Sequence, residues 1–282
     1  MGTQVAWMQK IKAALILCTA TILYCAASVP TVAQDTQPAN PALHETSRAG
    51  WWMTKHNAIL ARNKQGGVDL VFLGDSITQN YEKHQPPNQD FLPTWDKFYG
   101  DRNAENMGFS GDQTGHLLWR IDNGELDGIT PKVAVIMIGT NNTAARQSAD
   151  DTTIGIETVV DRVEEKLPAT KILLLGILPT DLPTPPGKAA TDAAINQSLA
   201  SKYAGAAKVT FLDIGSIYLK DGKVDWSLFY DPTLPPLNGV KRGPLHPNTV
   251  GQRMMAQAIE PTLARLMGDQ SKVDAAKPAT AP

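Results

Sequence analysis

Four short segments of this 282-residue chain carry side chains that do chemistry when brought together. The first is Gly74-Asp75-Ser76-Ile77-Thr78, which follows the apolar run 68–73. A strand that turns at a glycine and continues as a helix sets the Ser76 hydroxyl at the strand's carboxyl end. Beside it stand backbone N–H groups with no intrahelical partner. That arrangement suits a serine nucleophile together with an oxyanion donor. Asp and Ser are also favoured N-caps, so the segment alone fits a plain helix start equally well. It lacks the glycine spacing and the lysine of a phosphate-binding loop. The second segment is Ser110-Gly111-Asp112, where Gly111 offers an unshielded N–H or simply a turn. The third, Gly139-Thr140-Asn141-Asn142, ends another apolar run, and Asn141 there offers a side-chain amide or ordinary loop chemistry. The fourth is His246, in Gly243-Pro244-Leu245-His246-Pro247-Asn248, which suits a general base for Ser76 or a surface histidine at a helix start.

The elements that must position these residues are legible as periodicity. Apolar strand-like runs fall at 68–73, 104–109, 133–138, 172–177 and 209–212. Amphipathic helical patterns fall between them, at 51–62, 114–121, 154–166, 189–203 and 250–267. Short continuous apolar strands alternating with such helices predict an α/β fold, a parallel sheet covered on both faces. Ligands of such sheets bind beyond the carboxyl ends of the strands, where the four segments fall or nearly so.

Composition narrows the function further. Apolar residues make up 42% and charged residues 19%, enough for a real core, and the formal net charge is −2. That balance excludes a nucleic-acid binder working through bulk positive charge. The two cysteines, Cys18 and Cys25, lie in the first thirty residues, which excludes a disulfide scaffold or Cys-based zinc site in the body. His56, His84 and His116 have no metal-ligand spacing, so neither metal nor cofactor is expected.

The first 33 residues combine Lys10 and Lys12 with an uncharged apolar stretch and small residues at Thr31-Val32-Ala33, the pattern of a cleaved secretory signal peptide. A secreted or periplasmic protein with no stable membrane anchor after cleavage is expected. Residues 34–47 read as a flexible leader, 48–267 as one domain and 268–282 as a disordered tail.

Gly74-Asp75-Ser76-Ile77, Gly111, Gly139-Thr140-Asn141-Asn142 and His246 occur in the order of the four blocks of the SGNH hydrolases, or GDSL esterases, which the chain resembles. Ile77 stands where the namesake motif has Leu. Trp52-Met53, His56-Asn57, the stretch 106–114 and Leu118-Trp119-Arg120 resemble the platelet-activating-factor acetylhydrolase Ib catalytic-subunit branch, over about residues 50 to 267. The resemblance implies a flavodoxin-like three-layer α/β/α sandwich on a five-stranded parallel sheet, and a serine esterase. It assigns Ser76 as nucleophile, His246 as base, and the Ser76 N–H, the Gly111 N–H and the Asn141 amide as oxyanion donors. That branch associates as dimers, so a homodimer is a further expectation.

One position departs from the pattern. The family has Asp three residues before the histidine, and here that residue is Gly243. A backbone carbonyl near 241–243, or a carboxylate from upstream with Asp231 and Asp225 nearest, must then orient His246, or the chain is a weak or non-catalytic binder. Ile77 and Leu245 flank the two reactive residues. As walls of an acyl pocket they favour acetyl or another short acyl group, and they serve equally as core. Export makes acetylated carbohydrate a natural substrate class beside other small esters. Trp226, Phe229 and Tyr230, in and beside the Pro-rich loop 227–241, suit sugar stacking on the leaving-group side or simple packing. Transfer of the acyl group to a sugar hydroxyl is the other alternative.

Overall fold

The computed structural model describes residues 39–182 and 185–273; the expected signal peptide and residues 274–282 lie outside them. Five parallel strands form the sheet: β1 (Leu70–Gly74), β2 (Ala104–Gly108), β3 (Val133–Met137), β4 (Lys171–Leu175) and β5 (Val209–Leu212). Their order is β2-β1-β3-β4-β5, with Leu70 opposite both Ala104 and Val133, Val133 opposite Lys171, and Ile172 opposite Val209. The order reverses direction at β1, which opens a crevice at the carboxyl ends of β1, β2 and β3.

Alternation along the strands divides the core in two. Val71, Leu73, Ala134, Ile136, Ile172 and Leu174 face one side, where α1 (Trp51–Asn63), α4 (Thr114–Arg120), α6 (Ala149–Lys166) and α7 (Lys188–Lys202) bury Trp52, Leu117, Val159 and Leu199. Leu70, Phe72, Val133, Val135 and Leu173 face the other, against Phe98 and Tyr99 of α3 (Leu92–Tyr99) and Met255, Ile259 and Leu263 of α8 (Thr249–Met267). Each fully buried aliphatic side chain contributes about 1.5–3 kcal/mol over its exposed state. Two short helices start at strand ends: α2 (Ser76–Gln79) after β1 and α5 (Thr140–Ala144) after β3. This is the expected three-layer fold, with α3 the one helix of the layers that periodicity did not reveal. Among the described residues no helix is long and apolar enough to cross a membrane.

Both flanking segments differ from expectation where they are described. Residues 39–47 were expected to be a flexible leader, yet Ala42 is buried and its carbonyl accepts the Thr114 hydroxyl at 2.6 Å. Asn40 Nδ2 donates to the Asp151 carbonyl at 3.1 Å. After α8, where a disordered tail was expected, Asp269 accepts Arg102 Nε at 2.8 Å, and the Lys272 N–H donates to Glu260 Oε1 at 2.8 Å. Backbone groups make several of these bonds, so a polar composition conceals them.

Candidate active site

Ser76 is the first residue of α2, and Asp75 is its N-cap: the Asp75 carboxylate accepts the Ile77 N–H at 2.9 Å. Capping and nucleophile are therefore compatible readings of one segment, because Asp75 does the capping. The Ser76 N–H sits at the first helical position, where no intrahelical acceptor exists. Burial pushes the Asp75 carboxyl up to about 6, against the pull of the Ile77 N–H and of His246.

His246 closes on Ser76 from the far side of the chain. Its Nε2 lies 2.9 Å from Ser76 Oγ. Its Nδ1 lies 2.7 Å from Asp231 Oδ1, and the other carboxylate oxygen accepts the His246 N–H at 2.5 Å and the Leu245 N–H at 3.2 Å. A carboxylate at Nδ1 accepts the ring proton there, which leaves Nε2 bare towards the hydroxyl. Burial raises the Asp231 carboxyl, but the bond and charge of His246 and the two N–H groups outweigh it and hold it below the usual range. Tyr230 stacks on the imidazole with centroids 5.4 Å apart and planes 13° apart. Asn248 N-caps α8 two residues on, taking the Val250 and Gly251 N–H groups at 3.0 and 3.1 Å.

Asp231 thus stands where Gly243 left the question open. Asp225 is half-buried and is spent on the Ser227 N–H and hydroxyl. Gly243 is a close-packing site: a Cβ there would come within 2.6 Å of the Asp181 carbonyl oxygen. An aspartate at 243 would need that backbone to move.

The candidate oxyanion wall lies beyond the carboxyl ends of β2 and β3. Gly111 has φ +81°, a left-handed conformation that favours glycine, and among the described residues its N–H meets no acceptor. Asn141 Nδ2 donates to the Asp112 carbonyl at 2.9 Å, which ties the β3 end to the turn that carries Gly111. A helix-N1 N–H, a free glycine N–H and an amide anchored beside them can bind charge developing on a carbonyl oxygen.

Beneath this wall lies a charged network that the sequence did not disclose. Arg120 Nε donates to Asp112 Oδ2 at 2.9 Å, and Nη1 donates to Glu125 and, at 3.2 Å, to the Met107 carbonyl. Asp112 also accepts Trp52 Nε1 at 2.7 Å, and Glu125 Oε2 lies 3.3 Å from His56 Nδ1. Arg120, Asp112 and Glu125 are all fully buried. Burial raises the Asp112 carboxyl, and Arg120 pulls it back. A second clamp reaches α5 from α7, where buried Lys188 Nζ donates to Thr140 Oγ1 at 3.0 Å and to Asp192 at 2.6 Å. Asp192 also accepts the Thr143 hydroxyl at 2.7 Å. The signal available was charged residues on or beside amphipathic helices and one in a turn, which reads as ordinary solvated surface.

The two flanking apolar residues part company. Ile77 packs into the core with Phe72 and Tyr81, its packing alternative, whereas Leu245 lines a cavity of about 490 Å³ beside His246 and Asp231. Leu182, Leu237 and Val240 line the same cavity, with Lys241 and Arg242. Phe229 and Tyr230 are buried, so of the three aromatic residues expected to stack on substrate only Trp226 is exposed, with Lys241 Nζ 5.4 Å from its ring. His56, His84 and His116 engage Glu125, Asp90 and the Gln113 N–H. Among the described residues no three His, Cys, Asp or Glu side chains form a metal-binding group.

Comparison with known proteins places the chain in a family. Residues 72–254 match the model of the GDSL-like lipase/acylhydrolase family. The platelet-activating factor acetylhydrolase IB subunit alpha1 of Bos taurus is 31% identical over 258 residues, 91% of this chain and 97% of its own length. Subunit alpha2 of Rattus norvegicus is 32% identical over 73% of this chain and 81% of its own length. The crystal structure of a GDSL-like lipase from Bacteroides thetaiotaomicron superposes on 76% of this chain and 96% of its own, with a TM-score of 0.53 at 18% identity, and so shares the fold.

Proposed function

The chain belongs to the GDSL-like lipase/acylhydrolase family and is a hydrolase of carboxylic esters, and from that premise we propose that it works through a Ser76 acyl-enzyme on short-chain esters. The observation that carries this reading is the unbroken line Asp231–His246–Ser76, with links of 2.7 and 2.9 Å. His246 Nε2 takes the Ser76 proton as Oγ bonds to the ester carbonyl carbon. The electron pair moves to the carbonyl oxygen, which the N–H groups of Ser76 and Gly111 and the Asn141 amide hold. Collapse expels the alcohol, protonated by His246, and water then releases the acid by the same steps. Asp231 keeps the imidazole in the useful tautomer and balances the imidazolium. Its place at Nδ1 removes the reason for reading the chain as a non-catalytic binder.

A short acyl group, acetyl first, is supported by the acetylhydrolase names of the relatives, whereas Leu245 belongs to the lining of the apolar cavity. The apolar cavity then takes the alcohol. With Leu182, Leu237 and Val240 around it, and only Trp226 of the three aromatic residues exposed, it favours an apolar alcohol over a carbohydrate. The test is hydrolysis of p-nitrophenyl esters from acetate to laurate by the chain and by Ser76→Ala. Rates should be highest at acetate and fall by roughly 10⁶ in the variant. Equal rates for both proteins would sink the serine mechanism, and a maximum at laurate would sink the short acyl site.

A further inference from the structure

Arg48 is a cation beside the oxyanion wall that the reaction above does not use. It lies just before α1, on the N-terminal segment that docks through Ala42 and His44. Its Nη1 donates to the Ser110 carbonyl at 2.7 Å and stands 3.5 Å from Asp112 Oδ1. The guanidinium covers Gly111, since a Cβ there would meet Nη1 at 3.1 Å. It also lies 5.8 Å from the centroid of Trp51.

The Ser110 carbonyl and the Gly111 N–H are the two ends of one planar peptide group. A cation bonded to the oxygen of an amide draws electron density towards that oxygen and makes the N–H a stronger donor. Hydrogen bonds in series reinforce one another in this way, most when one partner is charged. The neighbouring groups of the turn are also fixed. The Ser110 N–H donates to Gln79 Oε1 at 2.7 Å, the Asp112 N–H to Phe109 at 3.1 Å, and the Asp112 carbonyl accepts Asn141.

We propose that Arg48 is a positioning residue of the oxyanion site, which fixes the plane of the Ser110–Gly111 peptide and polarises its N–H towards the oxygen that becomes negative. The N-terminal segment then completes the active site from outside the four sequence blocks. This inference rests on the roles given above to Ser76 and Gly111. A purely structural Arg48 would tie the segment to the turn and leave the chemical step alone.

The experiment compares the full chain with Arg48→Gln, Arg48→Lys and Ser76→Ala on p-nitrophenyl acetate, each below its melting temperature. Loss of a whole oxyanion donor costs on the order of 10²–10³ in kcat, so loss of its polarisation should cost about tenfold in Arg48→Gln. KM should stay within about twofold, because the effect belongs to the transition state. Phenylboronic acid, which forms a tetrahedral adduct on a serine, should bind Arg48→Gln about tenfold more weakly, while inhibition by acetate is unchanged. Arg48→Lys keeps a cation and should recover part of kcat. Wild-type kcat in Arg48→Gln overturns the proposal, as does unchanged boronate affinity, or a lysine variant no better than glutamine. If Arg48→Gln is unimpaired while Ser76→Ala is inactive, only the role of Arg48 fails. Activity in Ser76→Ala fails the serine mechanism itself.

Discussion

The wall that presents Ser76, Gly111 and Asn141 is held from below by charge that never meets solvent, whereas the loop that delivers His246 is held at its base by one carboxylate and a few backbone hydrogen bonds. On the first side Arg120 joins Asp112 to Glu125, and Lys188 joins Thr140 to Asp192, all out of water. On the second side Leu237 and Val240 are 59% and 58% exposed, and the base of the loop is tied by Asp231, which binds the ring and two backbone N–H groups at once, and by the Tyr230 N–H on the His246 carbonyl and the Asn248 N–H on the Leu228 carbonyl. Oxyanion donors must hold their geometry before charge develops, since reorganisation during reaction would cancel their benefit. The base needs one correct tautomer and one correct distance, which a single carboxylate can supply. Its source along the chain is then free to change, as Gly243 shows.

The sharpest way to break this contrast is Asp231→Asn. An amide at Nδ1 favours the wrong tautomer, and in serine proteases the equivalent change costs about 10⁴ in kcat. A similar fall is expected in the pre-steady-state acylation rate with p-nitrophenyl acetate, while Asp225→Asn stays at the wild-type rate. If both variants matched wild type, the loop would be held by something other than Asp231. The next largest effect probes the opposite wall. Arg120→Met strands two buried carboxylates, and breaking a buried pair costs about 3–5 kcal/mol. Urea unfolding should record that loss; a change below about 1 kcal/mol would mean the network is not what secures the wall.

The smallest effect concerns pH and distinguishes the two aspartates that flank the reacting pair. Asp75 rises from 3.8 to about 6 on folding. Between those values the folded chain holds the proton more firmly than the unfolded one, so stability falls as pH climbs through that window. The contribution is at most about 3 kcal/mol. Asp231 is shifted down, so its contribution is present above the ordinary carboxylate range and lost as pH falls below it. Asp75→Asn keeps the cap, because Asn caps as well as Asp. It should flatten the melting temperature between pH 4 and 6; an unchanged slope there would show that the Asp75 proton is not linked to folding.

The sequence was most readable where chemistry coincides with regular structure. Ser76, Gly111 and Asn141 follow strands whose apolar runs mark their ends, so their convergence followed from the sheet. Asp231 could be named only as a candidate, because it reaches His246 across an irregular loop that no periodicity governs. Arg120, Asp112, Glu125 and Lys188 were hidden for the opposite reason. Charged residues on amphipathic helices and in turns normally face water, and only packing reveals the ones that do not. Arg48 and the docked residues 39–47 escaped notice because their contacts run through the carbonyls of Ala42 and Ser110, which composition does not encode.

The pairing of Asp231 with His246 also closes a ring in the chain. What lies between them turns back at Asn238-Gly239, both at positive φ, with Leu237 and Val240 bonded across the turn. Doubling the length of a flexible closed loop costs only about 0.6 kcal/mol. Lengthening the stretch between Leu234 and Lys241 would therefore add little to the closure entropy of the ring that Asp231 and His246 complete.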